Sequence, residues 1–181
     1  QYIIALTNVG FSLARKRNIF EAANIFLKAD IELKKAYSID NELYLLKGKF
    51  YLYEVKPDLK KASIVASKIV KIYTRKGDLK NKALYLYMGA NVLYNWGGKK
   101  KVLILYKKAF SIYKKLKIKI KMRQMLEYIW SINIKLGNNF EAIEALLEAL
   151  KIGNEDNVYE YHGRVYLILG DFYREKKKFN L

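Results

Sequence analysis

The sequence predicts an all-α protein, a right-handed superhelix of stacked antiparallel helical hairpins (an α-solenoid) of about four and a half repeats. Three observations predict it. First, Ala22, Ala62, Val102 and Ala142 are each 40 residues apart, as are Ala29, Ile69, Ala109 and Ala149, while Phe26, Ala66, Tyr106 and Leu146 form a third apolar column. Second, the turns keep the same step: Arg17-Asn18, Pro57-Asp58, Gly97-Gly98 and Gly137-Asn138. Third, apolar residues between the turns recur at helical spacing, and no convincing strand interrupts them. A unit of this kind cannot bury its apolar face alone, so it stacks on its neighbours and builds a binding surface.

Nine helices are expected, over about 2–16, 19–37, 41–55, 58–76, 80–96, 99–116, 119–136, 139–152 and 156–177. The first follows from the stripe Leu6, Val9, Gly10 and Leu13, and the second from Ile19, Ala22, Ala23, Phe26, Leu27 and Ala29. Asp40 or Asn41 can accept backbone N–H bonds and start the third. Pro57 suits the first turn of the fourth, where its missing N–H costs nothing. Gly77-Asp78 supplies a stop followed by a cap before the fifth. Gly97-Gly98 precedes the sixth. The alternating Lys117-Ile118-Lys119-Ile120-Lys121 is read as a tight junction before the seventh, not as a strand. Gly137-Asn138 precedes the eighth, and the stop-and-cap cluster Asn154 to Asn157 precedes the ninth. The helices pair as four hairpins plus one unpaired helix.

No Pro/Gly/Ser-rich linker splits the chain, so residues 1–181 are read as one continuous repeat domain. The chain opens on Gln1, and the register would start another helix near Lys177-Lys178. A fragment of a longer protein is therefore expected, with a last helix whose apolar face is exposed or met by another chain.

Composition excludes several chemistries. There is no cysteine, hence no disulfide, thiolate nucleophile or Cys-based zinc site, and His162 is the only histidine. Glu141, Glu144 and Glu148 have helical spacing, yet no histidine or second acidic helix supports a metal site there. No Gly-rich phosphate loop, nucleophile motif or catalytic carboxylate pair occurs. No catalytic residue, metal or cofactor is expected, and the protein is read as a non-enzyme. The uncharged run from Ala83 to Gly98 is too short and too polar to span a bilayer. A cytoplasmic location is expected, since nothing at the N-terminus reads as a secretion signal.

The residues at the hairpin contacts resemble tetratricopeptide repeats, whose first helix runs W-x2-L-G-x2-Y and whose second runs A-x3-F and a further small residue. The first unit matches at Leu6, Val9, Gly10 and Leu13, then Ala22, Phe26 and Ala29. The last helix matches most closely, at Tyr166, Leu169-Gly170 and Tyr173. The third unit carries Gly89-Ala90 and Leu93, then Val102, Tyr106 and Ala109. The second and fourth units depart, with Phe50 and Trp130 at the glycine position and Ala66 where a large plug is wanted. Ile69 or Phe50 is expected to fill the space that Ala66 leaves. The usual unit has 34 residues; the 40-residue unit here is similar to those of kinesin light chain, bacterial peptide-pheromone receptors and the sensor regions of large regulatory ATPases.

The resemblance implies a protein or peptide partner held in a concave groove lined by the first helix of each hairpin. By register the groove should include Thr7, Phe11, Arg15, Lys47, Tyr51, Glu54, Tyr87, Asn91, Tyr94, Glu127, Ser131, Lys135, Arg164, Asp171 and Arg174. Asn91 stands out, because a mid-helix asparagine has poor helix propensity and its amide can pair with a peptide backbone. The resemblance also implies a regulator in which groove binding reports to an effector domain. A Lys-plus-Asn clamp for chaperone carboxylates is incomplete here, with Thr7 and Phe11, then Lys47 and Tyr51, at its positions. Trp96 and Trp130 are read as core residues, and His162 as a surface or interface residue.

The formal net charge of +18 points to an acidic protein partner, nucleic acid or anionic membrane. It equally reflects the joint abundance of Lys, Ile, Asn and Tyr that an AT-rich genome produces. No acidic residue occurs between Asp78 and Glu127, and Lys100, Lys101, Lys107, Lys108, Lys114 and Lys115 cluster there, with Tyr106 and Tyr113 expected beside them. Such a face could hold nucleic-acid phosphates nonspecifically, since arginines suited to bidentate reading are few. The two alternatives to the groove are therefore a nonspecific nucleic-acid-binding module and an assembly scaffold that self-associates through its last helix.

Overall fold

The structure, a computed structural model, describes residues 1–94, 98–155 and 159–178, and their side chains except at 154–155, 159–162, 164 and 175–178. Among the described residues there are nine helices and no strand: α1 (Tyr2–Arg15), α2 (Ile19–Lys35), α3 (Ile39–Val55), α4 (Leu59–Arg75), α5 (Leu79–Tyr94), α6 (Lys99–Lys115), α7 (Lys119–Leu136), α8 (Asn139–Glu155) and α9 (Tyr159–Lys178). They divide into two compact units, Gln1–Gly98 and Lys99–Leu181.

The 40-residue columns form the seams of the hairpins. Ala22, Ala62, Val102 and Ala142 are completely buried, as are Ala29, Ile69, Ala109 and Ala149. Phe26, Ala66, Tyr106 and Leu146 expose no more than 2% of their surface. The period in the sequence is thus a record of interhelical contact, and three columns on one helix face account for it.

In the first unit, α1 packs on α2 and α3, α3 on α4, and α4 on α5. The first joint is built on Phe26. A Cβ at Gly10 would lie 2.9 Å from the Phe26 ring, and one at Gly48 only 2.6 Å from it. The phenyl group therefore lies against bare backbone of both α1 and α3. A side chain at either position would occupy the space of the ring. The next joint reverses this distribution of volume. Ala66 stands in the column of Phe26, and a Cβ at Gly89 would meet the Ala66 Cβ at 3.2 Å. Phe50 and Ile69 fill the core around Ala66 together with Val65, Ile72, Tyr73 and Val92, as the sequence suggested.

The turns show where local chemistry decides. Gly77 and Gly137 follow α4 and α7 in the left-handed region, with φ of 70° and 79°, where glycine pays no Cβ penalty. Arg17 and Lys117 take the same conformation with a side chain, at φ of 61° and 55°; for Lys117 this is the tight junction expected between α6 and α7. Pro57 cannot adopt positive φ. The chain leaves α3 instead through Lys56 in an extended conformation, and the Asp58 side chain caps α4 by accepting from the Lys61 amide at 3.0 Å. Pro57 thus precedes the cap and is not in the first turn of α4. Asp40 and Asn41 lie inside α3, whose N-cap is Ser38 without a side-chain bond. There Asp40 and Glu42 complement the helix dipole. Asp78 caps as expected, accepting from the Asn81 amide at 3.0 Å. α8 runs through Gly153 to Glu155, past the stop expected there.

In the second unit, α6 packs on α7, α7 on α8 and α8 on α9. Tyr106, the counterpart of Phe26, stacks on Tyr128, the counterpart of Gly48, with centroids 4.9 Å apart and planes 13° apart. Trp130, expected in the core, is half-buried. Trp96 and the side chain of His162 lie outside the described residues. On α9, Val165 is buried while Tyr166, Leu167 and Tyr173 are exposed. Gly170, in the closest motif match, has no described atom within 4 Å of where its Cβ would be.

Candidate functional site

A cavity of about 270 Å³ opens in the first unit, on the first helices of its hairpins. α1 contributes Thr7, Asn8 and Phe11; α3 contributes Tyr44, Lys47, Gly48, Phe50, Tyr51 and Glu54; α5 contributes Tyr85 and Met88. Its origin is the contrast between the two joints. The α3 backbone lies close on α1, where the glycines admit the Phe26 ring, and stands farther from that of α5. Side chains bridge the wider gap: the Phe50 and Tyr85 rings meet edge to face at 5.9 Å, and Tyr85 stacks on Tyr73 at 5.8 Å.

The walls are ordered by contacts among themselves. Phe11 and Tyr51 pack with ring centroids 4.6 Å apart. Tyr44 Oη donates to Asn8 Oδ1 at 2.6 Å. Thr7 is buried and its Oγ1 donates to the Ile3 carbonyl at 2.8 Å, so it shapes the floor without offering a free hydroxyl proton. Lys47 Nζ sits 5.4 Å from the centroid of the Tyr73 ring, within cation–π range. Burial, together with the neighbouring Tyr73 and Glu54, pushes the Tyr85 hydroxyl up to about 12, so it stays neutral at physiological pH. Glu54 is exposed by overall area, yet its carboxyl is desolvated enough to raise its pKa.

The groove residues inferred by register fall into three groups. Thr7, Phe11, Lys47, Tyr51 and Glu54 converge on the cavity. Arg15 is exposed at the end of α1, and Tyr87, Asn91 and Tyr94 are half-buried on α5 outside the cavity lining, each of the last three engaged with a partner. In the second unit Glu127 and Ser131 are half-buried, Lys135 is exposed and its carbonyl accepts from Lys99 Nζ at 3.4 Å, and Asp171 and Arg174 pair with each other at 3.3 Å. The side chain of Arg164 lies outside the described residues. Register reasoning missed Asn8, Tyr44, Gly48, Phe50, Tyr85 and Met88. A signal for Gly48 was present, since a glycine inside a helix costs about 1 kcal/mol and marks a close approach.

The lysine face is different from its expectation in two respects. Lys100, Lys101, Lys107, Lys108, Lys114 and Lys115 are all exposed on α6, but Tyr106 and Tyr113 are buried and interleave nothing. The 40-residue step also sets α8 alongside. Lys114 pairs with Glu148 at 2.9 Å, and Lys107 shares a broad hollow of about 640 Å³ with Glu141, Glu144 and Glu148. Those glutamates supply acid that the local sequence of α6 lacks. A larger hollow of about 990 Å³ lies between α2 and α4, lined by Phe20, Leu27 and Lys60 among others. Lys49, Leu52 and Tyr53 of α3 also line it, and charged groups there are already paired, Lys49 with Asp30 and Lys61 with Asp58 at 3.0 Å.

No group of three or more acidic or histidine side chains that could hold a metal occurs among the described residues, and no described helix is long and apolar enough to cross a membrane.

Stacked antiparallel helical hairpins with small residues at their seams define a helical repeat protein. The chain has the tetratricopeptide-repeat-like fold. No family model and no curated protein matches the sequence. Solved structures do. One is a signal-transduction ATPase with numerous domains and a tetratricopeptide repeat sensor from Pyrococcus horikoshii, at TM-score 0.74 and 16% identity over 88% of this chain. This chain spans 25% of that protein's length. A second is the putative kinesin light chain with nearly identical repeats from Podosopora anserina, at TM-score 0.67 and 11% identity, covering 96% of this chain and 89% of that one. A third is BtubC from P. vanneervenii, at TM-score 0.69 and 16% identity, covering 94% and 75%.

Proposed function

We propose that this chain is a protein- or peptide-binding repeat domain, without catalysis of its own, whose ligand lies along α1, α3 and α5. The observation that supports this most is the aromatic cavity on three successive first helices. A preformed apolar recess with a few polar groups suits one anchoring side chain, while the exposed helix faces around it take the rest of an extended segment. Asn91 and Tyr94, on α5, remain candidates for flanking contacts. The tetratricopeptide repeat sensor of the Pyrococcus horikoshii protein makes a ligand-sensing arm of a larger regulator the natural extension of this reading.

Panning a random peptide library against the protein tests it. Recovered peptides should lose binding to Phe11→Ala/Tyr51→Ala with helicity retained. Peptides that bind the double variant as well as the parent would move the site elsewhere. Nucleic-acid binding through α6 is the less favoured reading, because Glu148 already engages Lys114. A steep loss of random-DNA binding with salt, reduced by Lys107→Gln/Lys108→Gln, would revive it.

A further inference from the structure

We propose that the cavity on α1, α3 and α5 accepts a cationic side chain, an arginine or lysine of the bound peptide, laid against the rings of Phe11, Tyr51 and Tyr85 and paired with the carboxylate of Glu54. The inference rests on the groove reading above and names what the groove selects.

Four observations carry it. Glu54 makes no hydrogen bond or ion pair among the described residues. That is unexpected in a chain with 35 basic and 17 acidic residues, where cations are in excess. Lys47 is the other charged residue lining the cavity, but its ammonium sits over the Tyr73 ring and acts on Asp78, whose pKa it helps to lower. It is therefore committed away from Glu54. Finally, aromatic faces beside a carboxylate are what a guanidinium or ammonium group requires, since the ring quadrupole and the anion attract the same charge. The desolvation already imposed on Glu54 agrees, because a cation would offset it.

The overall charge argues for acidic ligands, and the local site argues the reverse. Screening decides between them: at physiological salt the Debye length is about 8 Å, so charges on distant helices fade while a contact pair at the cavity does not.

The three methionines provide the readout. Met88 lines the cavity, whereas Met122 and Met125 are buried in α7 of the other unit and serve as internal references. With 13C-methyl-methionine protein, acetyl-Gly-Arg-Gly-amide should shift the Met88 methyl saturably at millimolar concentration and leave the references unmoved. Glu54→Gln, on an exposed residue and expected to fold normally, should weaken that binding about tenfold or more, the worth of one charge-assisted hydrogen bond. Acetyl-Gly-Leu-Gly-amide and acetyl-Gly-Glu-Gly-amide should bind more weakly than the arginine peptide. If the leucine peptide binds as well and Glu54→Gln changes nothing, the cation inference falls while the groove reading stands. If no peptide moves Met88, both fall. Guanidinium ion titrated alone should bind less tightly than the peptide; equal affinity would reassign the site to a free small cation.

Discussion

The two joints of the first unit occupy the same register and solve the same packing problem with opposite side chains. At the first, the second helix supplies the volume, as Phe26, and the first helices α1 and α3 supply glycine. At the next, the second helix supplies only Ala66, and the first helices carry Phe50, Tyr85 and Met88. Both joints bury large side chains, but a cavity of about 270 Å³ opens beside the second. They differ in where the bulk ends up. A ring on the second helix draws α1 and α3 together. Rings on the first helices hold α3 and α5 apart and wall a cavity. The departures from the repeat motif, which look like defects in the sequence, are what create the candidate site.

The largest expected effect comes from removing the plug of the first joint. Phe26→Ala should destabilise the chain by about 3–5 kcal/mol, because the two glycines cannot collapse into the space. Urea denaturation followed by circular dichroism would measure it, and a loss under 1 kcal/mol would mean that Phe26 is not the keystone of that joint. The glycines then compare the two joints directly. Gly48→Ala sets a Cβ against a fully buried ring, at an overpacking cost of about 1–3 kcal/mol, offset in part by about 1 kcal/mol of helix propensity. Gly89→Ala meets one methyl group at 3.2 Å and should be near neutral by the same offset. Equal effects at the two sites would erase the distinction between the joints.

A smaller gain is expected at the turns. Lys117→Gly should stabilise by about 1 kcal/mol by relieving a left-handed non-glycine residue, as Gly77 and Gly137 already do at theirs. Thermal melts would show the gain, and a loss would mean that the Lys117 side chain contributes more than its backbone costs.

The smallest effect is in the pH dependence, and it has two signs. Asp58 and Asp78 have lowered pKa values, Asp58 through bonds with Lys61 and Asp78 through bonds with Asn81. Their contribution is present above the unfolded carboxylate pKa and is lost as pH falls through the folded value. Glu54 is raised by desolvation, so its contribution is present below the unfolded pKa and is lost as pH rises through the folded one. Glu54→Gln should therefore make stability less sensitive to rising pH in the weakly acidic range, while Asp78→Ala should flatten the acid limb. Unchanged profiles in denaturation series across pH would overturn both assignments.

Much of the fold was legible because a repeat writes its contacts into the sequence several times. Ala22, Ala62, Val102 and Ala142 are buried for one reason, and that reason recurs every 40 residues. The helices and the cap at Asp78 follow from local periodicity and backbone chemistry, whereas the cap at Asp58 was not foreseen. The candidate site was legible in part. Thr7, Phe11, Lys47, Tyr51 and Glu54 were reached by register, since equivalent positions on successive first helices face the same way. Tyr85 and Met88 were not, although they lie on a helix whose extent was foreseen.

What the sequence determined by itself is the period, the helical class and the seams, because these depend on spacing along one chain. What only the tertiary structure decided is which rings are walls and which are core, and which charges meet. Tyr106 turned inward to stack on Tyr128 of α7, Tyr113 is buried on the same helix, and Lys114 found Glu148, 34 positions away. Glu54 found no cation at all among the described residues. Such outcomes depend on the distance between helices, and that distance is set by side-chain volumes summed across a joint. No single segment of the sequence contains that sum.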